Sequence, residues 1–401
     1  MSSLFPDILR PLTLLLLLSL LASVSPGSVH AGELRLVPAL SLKGEYNDNV
    51  FASASGRRAD YVTGVSPSLT LARRSETGQA AVTGGANALY YLRDTREGDL
   101  GYFARGAGSF RASPRLSLET DLDFTRDAGA SFLDPATSQL VGSKSERQAY
   151  RAGGTYRLSE HALSSVDLAF SRYDYDIPSY QDTSYYQGGV SLRYLLGPGN
   201  PGSWLAPQLS YRRDDTDLSR VENVSSTVGL SGQMNELWRA TLSAGGRFTR
   251  SEIQGAGSAV PITVSDRGWV GSGALAYSGE TGAGTLSVSH TLAPASGQTG
   301  ARQLTETGVT LSRRFTGRLS GNLSAGYARS RSAENQFSPV AVDERSRNAS
   351  GALLYRILEA PRDLSLEARY SYHSTKYRIT GAEVLRNTVM LQLTWQHEMF
   401  R

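Results

Sequence analysis

The chain has 401 residues, with 41 Lys plus Arg against 37 Asp plus Glu and no cysteine. Without cysteine there are no disulfides, no thiolate-held zinc, no thiol catalysis and no lipidated cysteine of the bacterial lipoprotein kind. A mean hydropathy of −0.29 is that of many soluble proteins, yet it also suits a barrel whose strands turn half their residues toward a polar interior.

Residues 1–31 read as a secretory signal. Arg10 precedes an apolar core from Leu12 to Ala22, too short for a comfortable membrane helix, and Pro26 and Gly27 break it. Val29 and Ala31 are small residues at −3 and −1, so cleavage is expected between Ala31 and Gly32. No later stretch approaches the ~18 continuous apolar residues of a spanning helix. The expected mature unit, 32–401, therefore crosses a membrane with strands or not at all.

From Leu34 onward one pattern repeats. Leu34, Leu36, Leu40, Leu42 and Tyr46 share one parity, and Arg35, Ser41, Lys43 and Glu45 the other. Such alternation marks a strand with one apolar and one polar face. It returns through Val65 to Leu71, Val82 to Leu92 and Tyr102 to Phe110. In the fifth strand Leu116, Leu118, Leu122 and Phe124 oppose Glu119, Asp121 and Asp123. Further strands follow near 150–158, 166–170, 190–196, 205–211, 224–230, 242–248, 269–277, 286–292, 309–315, 319–327, 353–357 and 364–372. The last runs from Leu385, with Val389, Leu391, Leu393 and Trp395 on the apolar side and Thr388, Gln392 and Thr394 on the polar side. Asn387 interrupts the first set and Met390 the second.

Short turns, as near 74–78, 112–115 and 359–362, alternate with longer polar loops near 47–59, 127–145, 253–265 and 332–344; a shorter loop is expected near 214–220. This is the connectivity of an up-and-down outer-membrane barrel. Aromatic residues fall at both ends of the apolar runs. Tyr46, Tyr61, Tyr90, Tyr102, Tyr173, Tyr211, Phe248 and Trp269 are expected at the outer boundary, and Phe110, Tyr156, Tyr194, Trp238, Phe315, Tyr355 and Trp395 at the inner one. The expected fold is all-β: a transmembrane antiparallel barrel of about 18 strands, with 16 as the alternative count, in the bacterial outer membrane.

Near the start, Tyr46-Asn47-Asp48-Asn49 is followed by Asp60-Tyr61 and by Ser66-Pro67-Ser68-Leu69. This opening, an outgoing strand ending in Y-x-D-N and a returning strand with P-x-L, resembles the β-barrel porin group associated with exopolysaccharide and exosortase (PEP-CTERM) gene clusters. The resemblance covers roughly residues 34–71. It implies an outer-membrane barrel, with an envelope polysaccharide as a candidate partner. Read on their own, Asn47, Asp48 and Asn49 are turn formers at a strand end. The final strand, with Phe400 next to the terminus, resembles the signal read by the barrel-assembly machinery.

No catalytic, cofactor or metal constellation is legible. His161, His290, His373 and His397 lack identifiable partners, so the protein is read as a non-enzyme. The dispersed charge shows no nucleic-acid fold. The polar parity is rich in arginine. Arg105, Arg151, Arg193, Arg247, Arg314, Arg356 and Arg369, with Glu119, Asp121 and Asp123, are the expected lumen residues. An excess of one sign in a low-dielectric wall concentrates counter-ions. The functional expectation is a porin-like channel or export conduit for polar or anionic solutes or polysaccharide. The alternative is a non-conducting structural component of an exopolysaccharide system. Outer-membrane lipid and lipopolysaccharide are the expected surroundings.

Overall fold

The alternating runs become eighteen antiparallel strands in one sheet. They are β1 (Glu33–Asn47), β2 (Asp60–Arg74), β3 (Gly78–Tyr91), β4 (Asp99–Arg111), β5 (Leu116–Arg126) and β6 (Ser145–Arg157). Next come β7 (Ala162–Tyr175), β8 (Thr183–Leu195), β9 (Trp204–Thr216), β10 (Ser219–Gln233), β11 (Trp238–Ile253) and β12 (Ile262–Ser278). The series ends with β13 (Gly282–Pro294), β14 (Ala301–Arg314), β15 (Leu319–Ser332), β16 (Val342–Leu358), β17 (Arg362–Tyr377) and β18 (Glu383–His397). The computed structural model describes residues 33–94, 99–133, 140–177, 180–197, 202–254, 261–294, 300–334, 336–338, 341–359 and 361–399. The expected signal segment and its Ala31/Gly32 cleavage point lie outside them.

Each strand pairs with its neighbours in sequence, and β1 closes the ring against β18 from Ala39↔Gln396 to Asn47↔Thr388. Closure is what a bilayer demands, because an open edge would leave backbone N–H and C=O groups in lipid at several kcal/mol each. The shortest strand has 11 residues and the longest 17, enough to cross. The count of eighteen is the expected one.

The apolar parity faces outward. Leu168, Leu242 and Leu391 are 59, 62 and 56% exposed, a pattern that belongs against lipid rather than water. The other parity faces the lumen, where cross-strand hydroxyl pairs such as Thr70/Thr83, Ser210/Ser225 and Ser324/Ser350 line the wall. Aromatic rings flank the outer face at both ends, among them Tyr61, Tyr90 and Trp269 on one rim and Phe110, Tyr194 and Phe315 on the other. An apolar band between two girdles on a closed barrel places the protein in the bacterial outer membrane.

Two expectations are corrected. Tyr173 does not join the outer girdle. The lipid-facing positions of β7 are Val166, Leu168 and Phe170, so Tyr173 has the opposite parity; it is buried inside, stacked near Tyr175 and Tyr185. The loop expected near 214–220 is only the two residues between Thr216 and Ser219.

Candidate functional site: the lumen

The Tyr46–Asn49 motif lies where the first strand meets the last. The Asp48 carboxylate accepts from the Asn387 backbone N–H at 2.6 Å and from its Nδ2 at 2.7 Å, and the Asp48 N–H donates to the Asn387 carbonyl at 3.1 Å. Asn387 also accepts from the Tyr370 hydroxyl at 2.9 Å. The polar interruption of an apolar face is thereby accounted for. Asn49, fully buried, donates from Nδ2 to the carbonyls of Ser53 and Leu385. These side chains staple the seam of the barrel. Hydrogen bonds to a carboxylate contribute about 1.5–3 kcal/mol. Asp48→Ala should therefore still form a barrel but unfold at lower temperature in detergent, read as the temperature at which the unheated gel mobility is lost. An unchanged transition would remove the stapling role.

Above the middle of the barrel, two groups of inward chain narrow the lumen. On one side residues 127–133 and 140–144 meet in a two-residue ladder, Phe132↔Val141 and Leu133↔Leu140. Ser131 donates to the Val50 carbonyl at 2.8 Å, the Ala130 N–H to the Tyr91 hydroxyl at 3.2 Å, and Arg386 to the Ser131 hydroxyl at 3.2 Å. Phe132 stacks with Tyr175 at 6.4 Å. Tyr91, Arg386 and Tyr175 are inward residues of β3, β18 and β7, so Ala130, Ser131 and Phe132 reach into the interior. Asp127, at the start of 127–133, accepts from Ser145 at 2.7 Å, and burial raises its carboxyl above the usual range.

On the opposite side β13 pairs with β12 only as far as Gly271↔His290, while its pairing with β14 continues to Pro294↔Ala301. The freed hairpin end bends inward. Arg212 of β9 donates to the Leu292 carbonyl at 3.4 Å. Phe337, fully buried, packs with Val221, Leu292 and Ala301. The Arg247 guanidinium lies 5.0 Å from the centre of the Phe337 ring. Gln336 donates to Asp266 at 3.1 Å, and Arg302 is ion-paired with Glu344 where both side chains are buried.

Against the first of these groups, at Gly129 and Ser131, lies a cavity of about 460 Å³ lined by Lys43, Glu45, Tyr91, Asn348, Arg369, His373 and Arg386. The expected lumen residues are not one cluster. Arg105 and Arg147 both meet Asp123, at 3.1 and 2.8 Å, forming a charge triangle on β4–β6. Arg147 belongs to it although the sequence reading passed it over. Arg151 stands opposite Asp121 across the ladder, with Glu119 exposed nearby. Arg369 pairs with Glu367 at 2.7 Å. Arg247 faces inward but is buried, 2.8 Å from Asp266, and its Nε and Nη2 meet no acceptor at hydrogen-bonding angles. It braces the inward hairpin instead of lining the water path.

Arg193, Arg314 and Arg356 belong to a set that the linear sequence disperses. With Arg35, Arg74, Arg111, Arg157 and Arg239 they share the lumen parity and lie within three residues of the inner ends of β1, β2, β4, β6, β8, β11, β14 and β16. All are exposed. Arg35 meets Glu33 and Glu398, Arg356 is 3.9 Å from Asp363, and Arg193 covers the Trp204 ring at 4.6 Å. Arg74, Arg111, Arg157, Arg239 and Arg314 have no ion pair among the described residues. The carboxylates of Glu76, Glu160, Glu236, Glu280 and Glu359 stand on the turns beyond this ring.

His290, His373 and His397 have structural surroundings. His290 stacks on Trp269 at 4.0 Å and bonds Thr305 at 2.8 Å on the lipid side; His373 bonds Thr375 at 3.0 Å. Among the described residues no group of three His, Asp or Glu side chains is arranged to hold a metal ion.

No family profile matches the chain, and no curated protein matches it. Among solved structures, OpdK of Pseudomonas aeruginosa, determined with vanillate, is 12% identical, with 91% of this chain and 99% of that one covered and a TM-score of 0.45. OccAB2 of Acinetobacter baumannii is 13% identical, covering 91% and 98%, with a TM-score of 0.45. OccK9 (OpdG) of P. aeruginosa is 12% identical over 91% and 98%, with a TM-score of 0.49. No residue role passes to this chain at such identities.

Proposed function

We propose that the protein is an outer-membrane channel for polar solutes with a preference for anions. The observation that carries this reading is the ring of inward arginines at the inner mouth, most of them without a matching acid. Guanidinium groups fixed on a low-dielectric wall raise the local concentration of anions, and their forked donors fit carboxylate and phosphate oxygens. In the central cavity Lys43 is paired with Glu45 and Arg369 with Glu367, and Arg386 adds one further cation to the wall.

Purified, refolded protein in a planar bilayer tests it. A KCl gradient should give reversal potentials of modest anion selectivity. Replacing Arg111, Arg157, Arg239 and Arg314 together by Glu should reverse the preference, and the difference should shrink as salt shortens the screening length from about 8–10 Å toward about 3 Å. Arg105→Glu should act in the same direction but less, since Arg105 already shares Asp123. Cation selectivity in the unmodified protein would overturn the reading.

The inward segments favour a second reading, a closed structural component of an envelope polysaccharide system. Absence of conductance in folded protein would support it. Passage of the polysaccharide itself is the finer form of the channel reading, and flux of a labelled acidic polysaccharide through proteoliposomes tests that separately.

A further inference from the structure

The lipid-facing side carries a charge pattern that a channel leaves unused. Arg329, Arg345 and Lys376 stand directly opposite one another across β15, β16 and β17. They share the parity of Leu323, Leu353 and Tyr370, which are among the exposed apolar residues of the outer wall. Arg331 and Arg347 belong to the same patch, opposite Asp343 and Tyr327. Like charges set opposite each other on a sheet repel, and a ladder three strands wide compounds the effect. The carboxylate of Asp343 is shared between Arg329 at 3.0 Å and Arg331 at 3.7 Å. Glu383 faces Lys376 across the next ladder, with its carboxylate accepting from Ser374 at 2.9 Å. Arg345, Arg347 and Lys376 have no ion pair among the described residues, and the Arg345 Nε is buried without a hydrogen-bond partner.

Most other outward rim cations are matched, though Arg267 of β12 has no ion pair among the described residues. Arg126 meets Asp176, Arg172 meets Asp174, Arg213 meets Asp215 and Arg250 meets Glu252. The largest excess is therefore on β15–β17, at the outer end, with Arg347 level with Tyr327, Arg329, Arg345 and Lys376 one step above it, and all of them facing where lipid headgroups lie.

We propose that this patch is a binding site for a phosphorylated glycolipid of the outer leaflet. Its phosphates sit among Arg345, Arg347 and Lys376, and its acyl chains descend along Leu323 and Leu353. The anion relieves the like-charge ladder, and the guanidinium forks hold phosphate oxygens in charge-assisted pairs. The site depends on the bilayer placement but not on conduction, so a non-conducting protein would leave it standing.

The test is binding of diphosphorylated lipid A to the refolded barrel in detergent, read by native mass spectrometry, beside dephosphorylated lipid A and inorganic phosphate alone. Wild type should retain diphosphorylated lipid A, bind the dephosphorylated form about ten-fold more weakly or less, and show no competition from millimolar phosphate. The variant R345A/R347A/K376A should lose about ten-fold in affinity or more. R126A, on a matched rim position, should not. Gel mobility checks that each barrel is closed. Should the triple variant fail to close, K376A alone and the dephosphorylated lipid decide. Equal retention by wild type and a closed variant, or binding indifferent to the phosphates, would overturn the proposal. Displacement by free phosphate would reduce the site to an anion site without lipid specificity and overturn it as well.

Discussion

Phe337→Ala is expected to open one side of the outer lumen and raise single-channel conductance above that of the unmodified protein. Phe337 is fully buried against Val221, Leu292 and Ala301, residues contributed by β10, β13 and β14. Truncating a buried phenylalanine costs about 3–5 kcal/mol. Here the loss falls on a segment tied to its neighbours by few backbone bonds, among them the Ala301 N–H to the Phe337 carbonyl at 3.0 Å. The strand ladders are untouched. The inward segment should therefore detach while the barrel stays closed. The readings are larger unit conductance and faster cleavage of the outer loops by protease, with unchanged heat-dependent gel mobility. Unit conductance equal to that of wild type would show that this packing does not limit the passage.

Leu391→Arg should abolish most assembly into the membrane, whereas Thr394→Arg should be tolerated. Leu391 is 56% exposed on the outer wall, opposite Ala368 and Gly44 on its neighbours. An arginine at mid-depth on that face costs roughly 2–4 kcal/mol. Thr394 lies on the other parity, bonded to the Ser41 hydroxyl at 3.0 Å inside the lumen, where water solvates a guanidinium. The yield of heat-modifiable barrel separates the two. Equal loss for both variants would contradict the assignment of faces in β18.

The architecture was legible because a bilayer imposes period-two alternation on every crossing. Val166, Leu168 and Phe170 announce β7 by that rule alone. The ends were not legible, and the reason is physical. Above the lipid boundary an outward residue meets water or headgroups, so alternation stops while backbone pairing continues. β16 begins at Val342 and passes through Arg345 and Arg347 before its apolar run starts, a length no hydropathy pattern records. The polar parity of Arg105 and Arg247 was readable, but not their surroundings. Nothing in the chain near Arg247 announces Asp266 or Phe337, which arrive from β12 and a distant loop respectively. The ring of inner-mouth arginines could have been found by scoring position along each strand together with parity. The inward bend of the β13–β14 hairpin has no such signal, since Leu292 continues the apolar parity of Leu286 and Val288 and yet ends inside.

The Asp48–Asn387 staple joins residues 339 positions apart in the chain. Contacts so distant in sequence form late, because the intervening chain must be ordered before they return any stability. A sheet of seventeen correctly paired strands still lacks this one bond set. It is therefore a mark of completion. Before it forms, β1 and β18 are two exposed edges able to pair with another chain; afterward none remains. An Asp48 variant should dwell longer in the edge-exposed form during folding, and its defect should be greater in refolding rate, and in by-products joined through unclosed edges, than in the finished barrel.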